Sequence, residues 1–207
     1  MNNSYKALVK QYKIRQIMKL FAALVVIVVM FSIVSVLSAQ GVIAFMAGLT
    51  AFIAFFYFII ESVKSLGMLY VRAKGNKALK NKGLWDDAVT AMENAMYIQV
   101  DKQRFAMTDK YLCLPYGMIL ELNRIAWVYM QIQRIGYFYI PIMKMSICQF
   151  RLLDETSAVG FYGKVRDMEA FKKLLLGLKL HIPELLIGYS GENQKMYQKM
   201  VAEHKKA

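Results

Sequence analysis

Only two histidines occur in this chain, His181 and His204. Imidazole is the side chain that moves protons and holds metals near neutral pH. Neither histidine has cysteine or carboxylate partners at the short spacings of a metal site. His181 closes an amphipathic stretch, where a cation suits the negative end of a helix dipole. His204 lies in a charged tail. The two thiols, Cys113 and Cys148, sit in apolar, strand-like stretches. A nucleophilic thiol needs a neighbouring base or positive charge, and the sequence places none beside them. They read as reduced core residues. Asp86-Asp87 could serve a metal or acid–base chemistry, but they fall in the first turn of an expected helix, where the dipole favours acids. Asp154 and Glu155 are adjacent in a turn and point apart. Gly160-Phe161-Tyr162-Gly163-Lys164 has glycines and a lysine like a phosphate loop, but that loop needs four residues between its glycines and Ser or Thr after the lysine. Here two residues intervene and Val165 follows. There is no G-x-S-x-G. The sequence therefore predicts no catalytic set, no metal and no cofactor.

The elements around these residues begin in a membrane. The chain has 207 residues, of which 57% are hydrophobic, against about 45–50% in soluble domains. The excess is concentrated. From Leu20 to Ile60 there is no Asp, Glu, Lys, Arg or His. As one helix this run would extend roughly 60 Å, twice the thickness of a bilayer core. Two spans, about Leu20–Leu37 and Val42–Ile60, joined at Ser38-Ala39-Gln40-Gly41, are the economical solution. In the second span Ala44/Gly48 and Ala47/Ala51 form small-xxx-small pairs on one helical face. Such faces let helices approach closely in lipid, within the hairpin or between copies in a homo-oligomer. Phe55, Phe56, Tyr57 and Phe58 suit an interfacial aromatic anchor.

Net charge is +13, and its placement points to membrane topology. Lys6, Lys10, Lys13, Arg15 and Lys19 precede the first span with no acid among them. Lys64, Arg72, Lys74, Lys77, Lys80 and Lys82 follow the second, against Glu61 alone. The short connection carries no charge. By the positive-inside rule both termini are cytoplasmic and the cell membrane is crossed twice. Lys10, Lys13, Arg15, Lys19, Arg72, Lys74 and Lys77 are the candidate contacts to anionic lipid headgroups. RNA binding would need aromatics interleaved with the basic residues. Residues 72–82 have none, so no nucleic-acid partner is expected.

After the spans comes one small domain. Residues 61–96 read as a helical linker interrupted at Gly75 and Gly83, ending in an amphipathic stretch over Leu84–Met96. Five to seven consecutive strands follow from Tyr97. Turn signals stand at Pro115-Tyr116-Gly117, at Gly136, which ends one strand, and at Asp154–Ser157. Pro141 suggests an edge or bend. Asp167–Leu180 is an amphipathic helix, and residues 191–207 read as a polar tail. The expected fold is thus a two-helix transmembrane hairpin (20–60) behind a basic N-terminus (1–19). It carries a small α+β cytoplasmic domain (97–190), an antiparallel sheet or barrel closed by a C-terminal helix.

This order resembles the bacterial pleckstrin-homology-like membrane proteins. The residues that carry the resemblance are Met107-Thr108-Asp109-Lys110-Tyr111, then Gly117-Met118-Ile119-Leu120, then Arg124-Ile125-Ala126-Trp127-Val128-Tyr129. The helix from Asp167 and Pro183-Glu184-Leu185-Leu186-Ile187-Gly188-Tyr189 complete it. The resemblance covers about residues 97–190. It implies a binding or scaffold module for a protein partner or lipid, not a catalyst. Phosphoinositide recognition is not implied, because no basic loop joins the first two strands. The aromatic density of Trp127, Tyr129, Tyr137 and Tyr139 suits an interface, and the same residues serve equally well in a β core. The competing expectation is a small oligomeric membrane protein that acts through its spans, in envelope stress or permeabilisation.

Overall fold

The computed structural model describes residues 5–36, 41–137, 140–163 and 165–206. They form an α+β structure with antiparallel sheets. The chain divides into two compact units, one of residues Val9–Tyr70 and one of Met1–Leu8 with Val71–Ala207.

The first unit is built by helices α1 (Tyr5–Val36) and α2 (Gly41–Asn81). They run antiparallel: Ser65 Oγ donates to Gln16 Oε1 (3.2 Å), and Lys19 Nζ lies 3.4 Å from Glu61 Oε2. Along α2 the buried or half-buried residues Ala51, Ala54, Phe58, Glu61, Ser65 and Met68 alternate in steps of three and four. That period is the stripe of a left-handed helix pair. Glu61 is buried in this stripe, and Lys19 supplies its counter-charge. Elsewhere the surface is apolar: Phe21, Leu24, Val25, Val28, Phe45, Phe52, Ile53 and Phe56 are all exposed. Among the described residues, one helical stretch, Gly48–Asn81, is long and apolar enough to cross a membrane. The expected connection at Ser38–Gln40 and the side chains of Ala44 and Ala47 lie outside the described residues. Ala51 is buried, whereas a Cβ at Gly48 would meet nothing within 4 Å.

Gly75 does not interrupt α2. It lies inside the helix because its missing side chain makes room for the Met118 thioether. The helix ends at Gly83, whose φ of +70° is cheap only for glycine. There Gly83 N–H donates to Lys80 O and Leu84 N–H to Leu79 O, both 3.0 Å, the paired bonds of a Schellman stop. A short helix α3 (Trp85–Ala91) follows, with Asp86 and Asp87 in its first turn.

The other unit, which also takes in the end of α2 and α3, is mostly a meander. Strands β1 (Met96–Val100), β2 (Gln103–Met107), β3 (Tyr111–Cys113) and β4 (Ile119–Glu121) form one antiparallel sheet in sequence order. Strands β5 (Ile125–Tyr137), β6 (Ile140–Leu152) and β7 (Ser157–Tyr162) form a second. Strand β8 (Leu186–Ile187) joins its edge, parallel to β5. The expected sheet or barrel is therefore two four-stranded sheets. No pairing among the described residues closes them into a barrel. Helix α4 (Met168–His181) is capped by the Asp167 carboxylate, which accepts from Ala170 N–H at 2.9 Å. Its Phe171 meets Phe161 of β7 edge-to-face (6.0 Å), and Phe161 meets Phe105 of β2 (6.1 Å). Those three rings tie both sheets and the helix into one core, with Leu174, Leu178, Phe150 and Cys148 buried beside them.

Two further expectations are corrected. Gly136 does not end a strand: β5 passes through it to Tyr137 with an irregularity between Ile135 and Gly136. Its pairing with β6 continues past the irregularity, Gly136 opposite Pro141 and Tyr137 opposite Ile140. The supposed polar tail contains helix α5 (Gly191–His204), started by Ser190, whose Oγ accepts from Asn193 N–H at 3.0 Å. Its apolar stripe is thin, but Tyr197 and Val201 are buried on it, and with Trp127, Tyr129 and Leu186 they form a second small core.

Candidate functional site

Alternation along a strand puts every second side chain on one face. On β5 this places Val128 in the main core and Trp127, Tyr129 and Gln131 on the outer face. Register extends that face across the sheet: Trp127 pairs with Arg151, Tyr129 with Gln149, and Arg151 with Ser157 of β7. An outer sheet face with two aromatics, two amides and a guanidinium is half prepared for a ligand. Helix α5 supplies the other wall through Gln194, Tyr197 and Gln198, and Tyr189 closes one side. The groove between them has a volume of about 560 Å³, inside the roughly 300–1,000 Å³ range of small-molecule sites.

Gly188 organises this groove. Its φ is +84°. Its N–H donates to Val128 O (2.9 Å), and its carbonyl accepts from Trp127 Nε1 (2.7 Å) and Asn193 Nδ2 (3.0 Å). The next residue, Tyr189, is thereby laid flat against the Trp127 indole, with centroids 5.7 Å apart and planes 15° apart. Trp127 also packs against Tyr129 (4.3 Å) and Tyr197 (5.7 Å). The Tyr129 hydroxyl donates to Gln149 Oε1 (2.9 Å) and the Tyr197 hydroxyl to Leu152 O (2.8 Å). Trp127, Tyr129 and Tyr197 are buried, but Tyr189 is 62% exposed. One aromatic face is thus presented to solvent on a rigid stack.

The charges are unevenly matched. Glu155 pairs with Lys205 at 2.9 Å, and Asp154 pairs with Arg124. Arg151 stands apart. Its guanidinium carbon lies 6.0 Å from the Tyr197 ring centre, and among the described residues its enclosed Nε has no hydrogen-bond partner. Burial raises the pKa of the Tyr197 phenol, which stays neutral beside it.

The residues singled out in sequence fall elsewhere. Lys10, Lys13, Lys74 and Lys77 are exposed and Arg15 is half-buried. Lys19 is committed to Glu61, and Arg72 Nη2 donates to the Tyr5 hydroxyl at 3.5 Å. Cys113 and Cys148 are free, buried thiols. Burial pushes Cys113 up to about 12 and raises Cys148 as well, so both stay protonated. Asp87 accepts from the Tyr111 hydroxyl (2.8 Å). That phenol is pushed up to about 12 by desolvation and then by the carboxylate. His181 closes α4. Gly160 lies in β7 against the Phe150 ring, not in a phosphate loop. Among the described residues no group of three or more His, Cys, Asp or Glu could hold a metal. Of the four aromatics expected at an interface, Trp127 and Tyr129 meet in the groove. The Tyr137 side chain and Tyr139 lie outside the described residues. Tyr189, Tyr197 and Arg151 were not foreseen, since only the fold brings them to Trp127. No family model, curated protein or solved structure matches this chain.

Proposed function

We propose that this chain is a membrane-anchored, non-catalytic binding module at the cytoplasmic face of a bacterial membrane. The α1–α2 hairpin spans the bilayer twice and leaves both termini in the cytoplasm. The β-domain, of the pleckstrin-homology-like kind, takes its ligand in the groove between α5 and the outer face of the β5–β7 sheet. The observation that carries the anchor is the helical hairpin's outward surface: Phe21, Leu24, Val28, Phe52, Ile53 and Phe56 are exposed on it. Soluble monomers rarely expose contiguous apolar patches beyond a few hundred Å², and lipid is the solvent that such a surface suits. Lys10, Lys13, Lys74 and Lys77, all exposed, are free to meet anionic headgroups.

The test is a photo-cross-linking amino acid placed at Gln194, on the groove rim, in full-length protein in native membranes. The same probe at Lys173, on the exposed side of α4, is the control. A discrete adduct from Gln194 that is absent from Lys173 and disappears with Tyr189→Ala supports the reading. Identical adducts from both positions, or none from Gln194, overturn it.

A further inference from the structure

We infer that the groove's ligand is a nucleotide: a planar heterocycle stacked on Tyr189, with its phosphate held by Arg151. This deepens the binding-module reading and rests on it.

Three features converge on that chemistry. The first is the stack. Tyr189 lies parallel on Trp127 with its other face in solvent. A rigid, flat, exposed ring in a groove is a platform for another flat ring. It is expensive to leave wet, and every nucleobase has a π-face that can cover it. An aliphatic ligand would use the area but not the planarity.

The second is the cation. Among the described lining residues Arg151 is the one with a net positive charge, and the only carboxylate, Glu155, is already paired with Lys205. The Arg151 Nε is enclosed and lacks an acceptor among the described residues. A buried donor without a partner is costly. The guanidinium fork fits two oxygens of a phosphate side by side. An uncharged sugar would leave this site unmatched.

The third is the amide rim. Gln131, Gln149, Gln194 and Gln198 all line the groove. Each primary amide offers a donor and an acceptor together, the complement of a heterocycle's edge. The Gln149 oxygen is already taken by the Tyr129 hydroxyl, so its amide is oriented before any ligand arrives. A lipid tail would leave these amides unpaired, and a free phosphate would use neither them nor the stack.

The chain has two tryptophans, Trp85 in α3 and Trp127 under Tyr189, so fluorescence reports the groove once Trp85→Phe removes the other signal. The full-length Trp85→Phe protein in lipid nanodiscs is titrated with AMP, GMP, CMP, ribose 5-phosphate and inorganic phosphate. The expected result is saturable quenching by at least one mononucleotide and none by ribose 5-phosphate or phosphate. Tyr189→Ala and Arg151→Gln should each weaken that binding about tenfold or more, in the range that losing one stacked base or one charge-assisted contact gives. Because Tyr189 is exposed, its alanine variant should melt at the parental temperature, which separates lost binding from lost folding. Isothermal calorimetry without the Trp85 change gives a second reading. Absence of saturable binding to every mononucleotide overturns the inference, as does binding unaffected by both variants. If nucleotides fail while the Gln194 adduct persists, only the ligand class falls. If both fail, the binding module falls with it.

Discussion

The Tyr189 ring lies parallel to the Trp127 indole, with planes 15° apart, although Trp127 belongs to β5 and Tyr189 to the connection between β8 and α5. Gly188 makes this possible. At φ +84° it turns the chain after β8 while bonding Val128, Trp127 and Asn193. A side chain there would be strained even though no atom lies within 4 Å of its Cβ. Gly188→Ala should destabilise the protein by about 1–2 kcal/mol and shift Trp127 emission as the stack loosens. Unchanged melting and emission would show that the turn does not hold the stack.

A second bond set joins the end of α2 to the sheet. The buried Asn76 side chain donates to Gly117 O and accepts from Ile119 N–H, both at 3.1 Å. It serves the β3–β4 loop as a neighbouring strand would. The Tyr5 hydroxyl donates to the same Gly117 carbonyl at 2.8 Å. Asn76→Leu keeps similar bulk but strands the Ile119 N–H, at a cost of about 1–3 kcal/mol. Tyr5→Phe leaves Gly117 O with the Asn76 bond and should cost less. Denaturant unfolding in detergent checks the order; equal losses would contradict it.

Gly160 is required by packing. A Cβ there would meet Phe150 Cε2 at 2.6 Å, with the Cys148 sulfur at 3.4 Å. Overpacking of this kind costs about 1–3 kcal/mol, so Gly160→Ala should lower the melting temperature. The double variant Gly160→Ala with Phe150→Leu should recover part of the loss. A single variant as stable as the parent would mean that the ring moves freely.

Acid should loosen the β1–β2 turn from α4. The Asp101 carboxylate accepts from the N–H groups of Arg166 (3.0 Å) and Asp167 (2.9 Å). Those bonds hold its pKa below the ordinary value, helped by the Arg166 charge. A lowered folded-state pKa gives stability that is fully present above the unfolded value, about 3.9, and is lost as pH falls through the folded one. Asp154 titrates in the same sense: burial opposes the shift, but Thr156 and Arg124 hold it down. Melting temperature should therefore fall as pH drops below about 4, less steeply in Asp101→Asn. A variant as acid-sensitive as the parent would exclude the clasp.

Much of the fold was legible because its signals are local. The turn at Pro115–Gly117 and the helix that begins after Asp167 each rest on signals within a few residues. So does the three-four rhythm of Phe171, Leu174 and Leu178. Gly75 misled because a glycine inside a helix reads as a break, and only the approach of Met118 reveals its purpose. Helix α5 was missed because its buried stripe is essentially Tyr197 and Val201, too thin to register without the sheet beneath. The groove was half visible. Trp127 and Tyr129 share a face by alternation, but Arg151 arrives through strand register and Tyr189 through the Gly188 turn. Those are tertiary relationships, and no spacing in the chain encodes them.

The central claim, a membrane hairpin with its binding domain inside the cell, is tested most directly by cysteine labelling. The native thiols are buried and protonated, so folded parent protein should react with maleimide only after unfolding. A membrane-impermeant maleimide is then applied to intact cells that carry Gln40→Cys, in the predicted outer turn, or Lys206→Cys, in the domain. The account predicts labelling of Gln40→Cys in intact cells and of Lys206→Cys only after permeabilisation. Labelling of Lys206→Cys from outside, or protection of both sites until lysis, would contradict it.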